Sequence, residues 1–191
     1  MFRVAVVDTS TLINLTFIKH LQIFNHLQNL FLRIHIPTKV KSEYELTLRH
    51  EPDRAWLLER LKPNEGFYSF CTRYDSTVLS IIQSVKHIDA GEAEAVAQLK
   101  KVNANYILSD DERFSKALKK IDPYVKVIST WHVLAMLDLL QIVLNSDEII
   151  RALYKRCPFP KSRLRKAYVE SYREFGLRPS KKHINQKCDL I

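Results

Sequence analysis

The sequence predicts an α/β fold of three layers, α/β/α, built on a short-stranded, mainly parallel central sheet and followed by a C-terminal helical extension. Three observations predict it. Short runs rich in Val, Ile and Leu alternate with segments of helical periodicity over most of the chain, the pattern of a parallel sheet covered by helices on both faces. Hydrophobic residues make up 46% of the 191 and only three glycines occur, which excludes a disordered or collagen-like chain. The charge then changes character near the end. Of 30 basic and 21 acidic residues, 12 and 3 fall in 151–191, which leaves 18 and 18 in 1–150. The chain therefore reads as a domain over 1–146 and a basic helical extension over 147–191.

The elements follow in order. Arg3–Val7 is a β-branched run ending at Asp8, and a helical pattern continues through Leu12, Leu15, Phe17, Ile18 and Leu21. Leu30–Ile36 is a second apolar run, and a helix can start at Pro37, since proline suits a first helical turn; it carries Val40, Glu43 and Leu46. Pro52 opens another helix with Trp56, Leu57 and Leu61, and Gly66–Cys71 alternates as a strand. Ser76–Val85 and Gly91–Val102 read as helices, Tyr106–Leu108 as a strand, Glu112–Lys120 as a helix and Val125–Ile128 as a strand. Trp131–Leu144 is an apolar helix. In the extension, Asp147–Arg156 is helical, Cys157-Pro-Phe-Pro160 breaks it, and Lys161–Phe175 is amphipathic, with Leu164, Ala167, Tyr168, Ser171, Tyr172 and Phe175 at helical spacing. Beyond Gly176 the basic, polar composition predicts a loosely ordered end.

The N-terminal run meets an acid at position 8 and reads as a first strand, not a signal peptide, and no apolar run approaches the roughly 20 residues needed to span a bilayer. Cys71, Cys157 and Cys188 fit no metal-ligand spacing. A reduced, cytoplasmic protein is the expectation. The basic excess suggests a polyanionic partner, with a solubilising tail as the alternative.

Functional groups of an open parallel sheet collect beyond the carboxyl ends of its strands. Asp8 ends the first strand, and Asp110 and Asp111 end Tyr106–Leu108. Ser109-Asp110-Asp111-Glu112 also has the form of a capping box, in which acids merely complement the helix dipole. Asp8 follows four apolar strand residues with no basic residue near it in sequence, so a buried carboxylate there needs a partner. In Asp89-Ala-Gly-Glu92-Ala-Glu94-Ala-Val, Asp89 and Glu92 complete a capping box, whereas Glu94 either faces solvent or points into a site.

These residues carry a resemblance. Val-Val-Asp8-Thr-Ser10-Thr-Leu-Ile-Asn-Leu resembles the opening motif of PIN-domain nucleases, and Ile36-Pro37-x-x-Val40-x-x-Glu43 is similar to their second. Asp89-x-Gly-Glu-Ala-Glu94-Ala-Val-Ala resembles the third, Leu108-Ser-Asp110-Asp111-x-x-Phe114 the fourth, and Ser129-Thr130-Trp-His-Val-Leu the segment after the last strand, all in a prokaryotic, toxin-like branch. Ser109 stands where the pattern has Thr, and Ser129 where it has Gly. The resemblance implies a PIN-like fold and a catalytic set of Asp8, Glu43, Glu94 and Asp111. Asp8, Glu94 and Asp111 would be metal ligands with Asp110 beside them, and Ser10 would orient Asp8 or a phosphate.

Carboxylates packed together need cations or protons, and hard oxygen donors without Cys or His suit Mg²⁺ or Mn²⁺. The implied activity is a metal-dependent endoribonuclease that hydrolyses phosphodiester bonds, in some settings the toxin of a toxin–antitoxin pair. The alternative is a catalytically silent PIN-fold module that binds RNA or protein. Lys161, Arg163, Arg165 and Lys166 are the candidate contacts to RNA, single-stranded or structured. The same basic helix suits an antitoxin protein or a second copy of the chain in a homodimer.

Overall fold

The computed structural model describes residues 3–18, 21–47, 57–59, 62–63, 65–176 and 179–191. Six strands form one sheet: β1 (Val4–Val7), β2 (Arg33–Pro37), β3 (Lys62–Pro63), β4 (Tyr68–Cys71), β5 (Tyr106–Leu108) and β6 (Lys126–Ile128). Their spatial order is β3-β4-β2-β1-β5-β6, and every neighbouring pair is parallel. Parallel neighbours require crossovers, which the helices supply. These are α1 (Thr9–Phe17), α2 (Ile23–Leu27), α3 (Thr38–Thr47), α4 (Ser76–Gln83), α5 (Ala90–Val102), α6 (Glu112–Ile121) and α7 (Thr130–Leu139), then α8 (Ser146–Arg156), α9 (Lys161–Phe175) and α10 (Lys181–Cys188).

The strand alternation of β1 divides the core in two. Ala5 and Val7 face a large cluster with Leu12, Leu15, Val133, Leu134 and Leu164, while Val6 joins Val96, Ile107, Phe114 and Leu118 on the other side. Helices thus cover both faces, as the sequence predicts. Every side chain from Gly91 to Leu99 in α5 is buried, and the small residues among them let this helix lie close to the sheet.

Several boundaries differ from the sequence reading. The first helix stops at Phe17, and α2 is a separate short helix entered through a left-handed Gln22 with no side-chain cap. Pro37 closes β2 instead of opening the next helix, which starts at Thr38. The helix expected from Pro52 lies largely outside the described residues; Leu57 is buried in the core. The apolar stretch to Leu144 is helical only to Leu139, because Gln141 takes a positive φ of 55° that ends the turn.

The C-terminal segment is part of the same packed body. Leu164, Ala167 and Tyr168 of α9 are fully buried in the main core cluster, and Trp131 of α7 stacks on Phe159 at 3.5 Å. Packing is therefore continuous across residue 146. The expected loosely ordered end is instead helix α10, capped by Ser180, with Cys188 buried. What organises it is a polar contact that composition hides. The buried carboxylate of Asp138 accepts from Tyr168 Oη (2.8 Å), Ser146 Oγ (2.5 Å) and His183 Nε2 (2.7 Å), with Lys187 Nζ 3.1 Å away. Lys187 also reaches Asp147 at 2.5 Å. Cys71, Cys157 and Cys188 are all free thiols, and among the described residues no helix is long and apolar enough to cross a membrane.

Candidate active site at the carboxyl edge of the sheet

The β1–β5 register pairs Val7 with Leu108, so the next residues, Asp8 and Ser109, emerge side by side at the carboxyl edge. Asp8 N–H donates to Leu108 O at 2.8 Å, which fixes the backbone there. The Asp8 carboxylate is almost fully buried and is the N-cap of α1, accepting from Thr9 N–H at 2.7 Å. Two hydroxyls complete its cradle, Ser10 Oγ at 2.7 Å and Ser109 Oγ at 3.0 Å. All three donors are neutral. Burial raises the pKa of Asp8, and the Asp89 carboxylate adds to the rise, while the three hydrogen bonds pull it back.

Glu43 reaches this edge from α3. Its Oε2 accepts from Thr9 Oγ1 at 2.6 Å, so consecutive residues hold two of the acids. The same carboxylate rests on Gly91 in the first turn of α5, where an added Cβ would come within 2.9 Å of Glu43 Oε2. Glycine at position 91 makes room for Glu43.

The doubled acids separate clearly. Glu94 Oε1 and Oε2 accept from the backbone N–H groups of Thr38 (2.8 Å) and Lys39 (2.9 Å). Glu94 therefore caps the N-terminus of α3, where the helix dipole and unpaired amides favour a carboxylate. Glu92 forms the expected capping box with Asp89, the two reciprocal bonds measuring 2.8 and 2.9 Å. Glu92 also lies in the field of the other acids. Burial above all, with the Asp89, Asp8 and Asp111 carboxylates adding to it, pushes its pKa up to about 8.

Asp110 and Asp111 divide in the same way. Asp110 accepts from Asn14 Nδ2 (2.8 Å), Thr130 N–H (2.8 Å) and Thr130 Oγ1 (2.5 Å), tying the end of β5 to α1 and α7. Asp111 is the N-cap of α6, and its Oδ1 accepts from Arg113 N–H (2.6 Å) and Phe114 N–H (3.0 Å) while the residue stays exposed. Ser109 Oγ links the acids, donating to Asp8 and accepting from Asp111 N–H at 3.2 Å. Ser10 Oγ similarly accepts from Asp110 N–H at 3.3 Å.

Asp8, Glu92 and Asp111 thus share one electrostatic neighbourhood, with Glu43 joined through Thr9, while Glu94 and Asp110 are held by backbone and hydroxyl donors of their own. Among the described residues no three Asp, Glu, His or Cys side chains stand close enough together to grip a metal ion directly. The donor chemistry nevertheless suits a hard divalent cation. Asp8 has only neutral partners, and Glu92 is driven toward protonation by burial and, to a lesser degree, by the carboxylates around it.

The sequence reading gave no site role to Thr9, Gly91 or the hydroxyl of Ser109; it assigned Glu92 to a helix cap and preferred Glu94 as the ligand, with Glu92 as the alternative. Glu92 could have been found from geometry. It sits in the first turn of a helix that begins beside the strand ends, and Glu94 is rotated from it by about 200° around the axis.

The four basic candidates also divide. Arg163 Nε donates to Glu112 Oε1 at 2.7 Å, and Arg163 and Lys166 line a cleft with Ser109, Asp110 and Asp111. Lys161 and Arg165 turn toward α10, to Asp189 (3.8 Å) and Asn185 (3.2 Å) respectively.

A family model described as a PIN domain matches residues 4–174, which takes in the sheet, the acids and α9. Among curated proteins and among solved structures, nothing matches the chain.

Proposed function

Because the chain belongs to the PIN-domain family over residues 4–174, we propose that it is a divalent-metal-dependent endoribonuclease that hydrolyses phosphodiester bonds at the carboxyl edge of the sheet. The observation that carries the proposal is the buried Asp8 at the end of a central strand, cradled only by neutral donors, in the field of Asp89 and linked through Glu92 to the field of Asp111. Such a concentration of negative charge is costly unless a cation enters. Asp8, Glu92 and Asp111 would hold Mg²⁺ or Mn²⁺ in part through bridging water, and the ion would supply charge neutralisation at the phosphate and a lower pKa for attacking water.

The chain's own groups account for the rest. Ser10 and Ser109 orient Asp8, Thr9 fixes Glu43 at the margin, and the Asp89–Glu92 box keeps the first turn of α5 beside them. Water adds to phosphorus, one phosphorus–oxygen ester bond breaks, and the leaving oxygen takes up a proton. Arg163 and Lys166 on the adjoining cleft suit the polyanionic backbone of RNA. The family setting extends the proposal to an enzyme held silent in the cytoplasm by a protein antitoxin.

The test is direct. Purified protein is incubated with labelled RNA and labelled DNA in Mn²⁺, Mg²⁺ or EDTA, beside an Asp8→Asn protein prepared identically. RNA fragments that need a divalent cation and disappear with Asp8→Asn are expected. Cleavage that persists in EDTA, or that Asp8→Asn leaves undiminished, overturns the proposal.

A further inference from the structure

The cleft that leaves the acid cluster between α6 and α9 pairs its cations with carboxylates of its own. Its cationic wall comes from two elements, Lys119 on α6 and Arg163 and Lys166 on α9. Two carboxylates answer these cations inside the cleft. Glu112 takes Arg163 at 2.7 Å, and Glu170 stands 3.9 Å from Lys166. His132 holds Glu170 in place. Ser129 N–H donates to His132 Nδ1 at 3.1 Å, so the ring proton sits on Nε2, which donates to Glu170 Oε2 at 2.8 Å.

We propose that this cleft is a phosphate subsite for the backbone phosphodiester next to the one at the acid cluster, and that Glu112 occupies the Arg163 guanidinium until a polynucleotide displaces it. The inference rests on the nuclease reading for the identity of its ligand. Three features carry it. The cleft is continuous with the acids, since Ser109, Asp110 and Asp111 form its inner end, so a strand lying over Asp8 has a neighbouring phosphate to place nearby. Glu112 is half exposed, and its second cation, Lys116 at 3.9 Å, is exposed as well, so exchanging these ion pairs costs little folding stability. A phosphodiester offers Arg163 two oxygens in the fork geometry that guanidinium favours, with Lys166 and Lys119 beside it. The body of the chain is charge-neutral, and an internal carboxylate on Arg163 restrains non-specific binding of polyanions until one bridges both places.

The experiment measures binding of a fluorescent single-stranded oligoribonucleotide in EDTA, at several salt concentrations, to the wild-type protein and to Glu112→Gln, Arg163→Gln and the double variant. Glu112→Gln should tighten binding about three- to tenfold, whereas Glu148→Gln on α8, a remote loss of one negative charge, should not. Arg163→Gln should weaken binding and lower the log–log salt slope by about 0.7, the contribution of one phosphate contact on a single strand. In the Arg163→Gln background, Glu112→Gln should give no gain, because Glu112 acts through Arg163. An equal gain in both backgrounds, or unaltered affinity and slope in Arg163→Gln, overturns the inference. So does a response of polyglutamate binding without a response of RNA binding, which would make the cleft a surface for an acidic protein. Mn²⁺-dependent cleavage by the wild-type protein is scored separately: its absence removes the nuclease reading, and unaltered binding removes the subsite.

Discussion

Glu92 and Glu94 lie two residues apart on one helix, both buried, and their carboxylates serve different parts of the molecule. Glu94 holds two backbone N–H groups of α3, and Glu92 faces the field of Asp8 and Asp111. Glu94→Gln loses the charge and can accept only one of the two amides through its single carbonyl oxygen. It should cost on the order of 1 to 2 kcal/mol of stability. Glu92→Gln keeps an acceptor for Asp89 N–H, so the cap survives while metal-dependent cleavage falls by at least tenfold. Chemical denaturation of both variants, together with their cleavage rates, checks the assignment. The opposite pattern would make Glu94 the residue of the site.

The elevated pKa of Glu92 gives a pH signature with a definite sign. The group titrates near its ordinary 4.5 in the unfolded chain and at about 8 in the folded protein. Between those values the folded state holds the extra proton, so this contribution to stability falls as pH rises through the window and levels off above about 8. Denaturation of metal-free protein at pH 5 and pH 8, compared with Glu92→Gln, should show the variant losing less on the alkaline side. The expected difference is on the order of 1 to 2 kcal/mol once water near the carboxylate is allowed for. Added Mn²⁺ should narrow it, and identical pH profiles for the two proteins would count against it.

Gly91 is required by Glu43 and not by its own backbone. In Gly91→Ala the new Cβ displaces the Glu43 carboxylate, which sits at the end of a flexible side chain and can move. Alanine also favours the helix by up to about 1 kcal/mol. Stability should therefore change by less than about 1 kcal/mol, while cleavage falls several-fold. Thermal melting and initial rates on one RNA substrate separate the two effects.

At the other end of the chain, Lys187 anchors α10 to Asp138 and Asp147. Lys187→Met should cost about 1 to 3 kcal/mol and admit proteases within α10, with the acid cluster untouched. Burial alone would raise the pKa of Asp138. The hydrogen bonds from Ser146, Tyr168, His183 and Lys187 outweigh it and leave the pKa below the ordinary 3.8. Because its folded pKa is depressed, Asp138 contributes stability above the ordinary carboxylate pKa and loses it as pH falls toward the folded value. Limited proteolysis across pH 3 to 7 should show α10 released first in acid.

The strands other than the two-residue β3, and the longer amphipathic helices, were legible because pattern and packing agree. Tyr106–Leu108 and Lys161–Phe175 have the boundaries that their apolar spacing predicts. What escaped was set by single contacts or single backbone angles. α2 has five residues and no capping side chain, and the break after Leu139 depends on one positive φ at Gln141. α10 reads as a solvated tail until Asp138, more than 40 residues earlier, is placed opposite His183 and Lys187. At the acid cluster the strand-end residues were evident from position alone. The cap formed by Glu92 was legible as well, but that its carboxylate also lies in the field of Asp8 and Asp111 while Glu94 caps α3 depends on contacts between distant segments.

The hydroxyl of Ser109 has a consequence for observing this protein. It donates to Asp8 Oδ2 and accepts from the amide of Asp111, so one oxygen atom joins a buried charge to an exchangeable backbone proton. When Asp8 is neutralised by a proton or a cation, its pull on the Ser109 hydroxyl weakens, and the acceptor strength offered to that amide changes with it. The Asp111 amide is consequently a built-in probe. Its resonance frequency and its rate of deuterium uptake should register the charge on Asp8 without a substrate or a mutation.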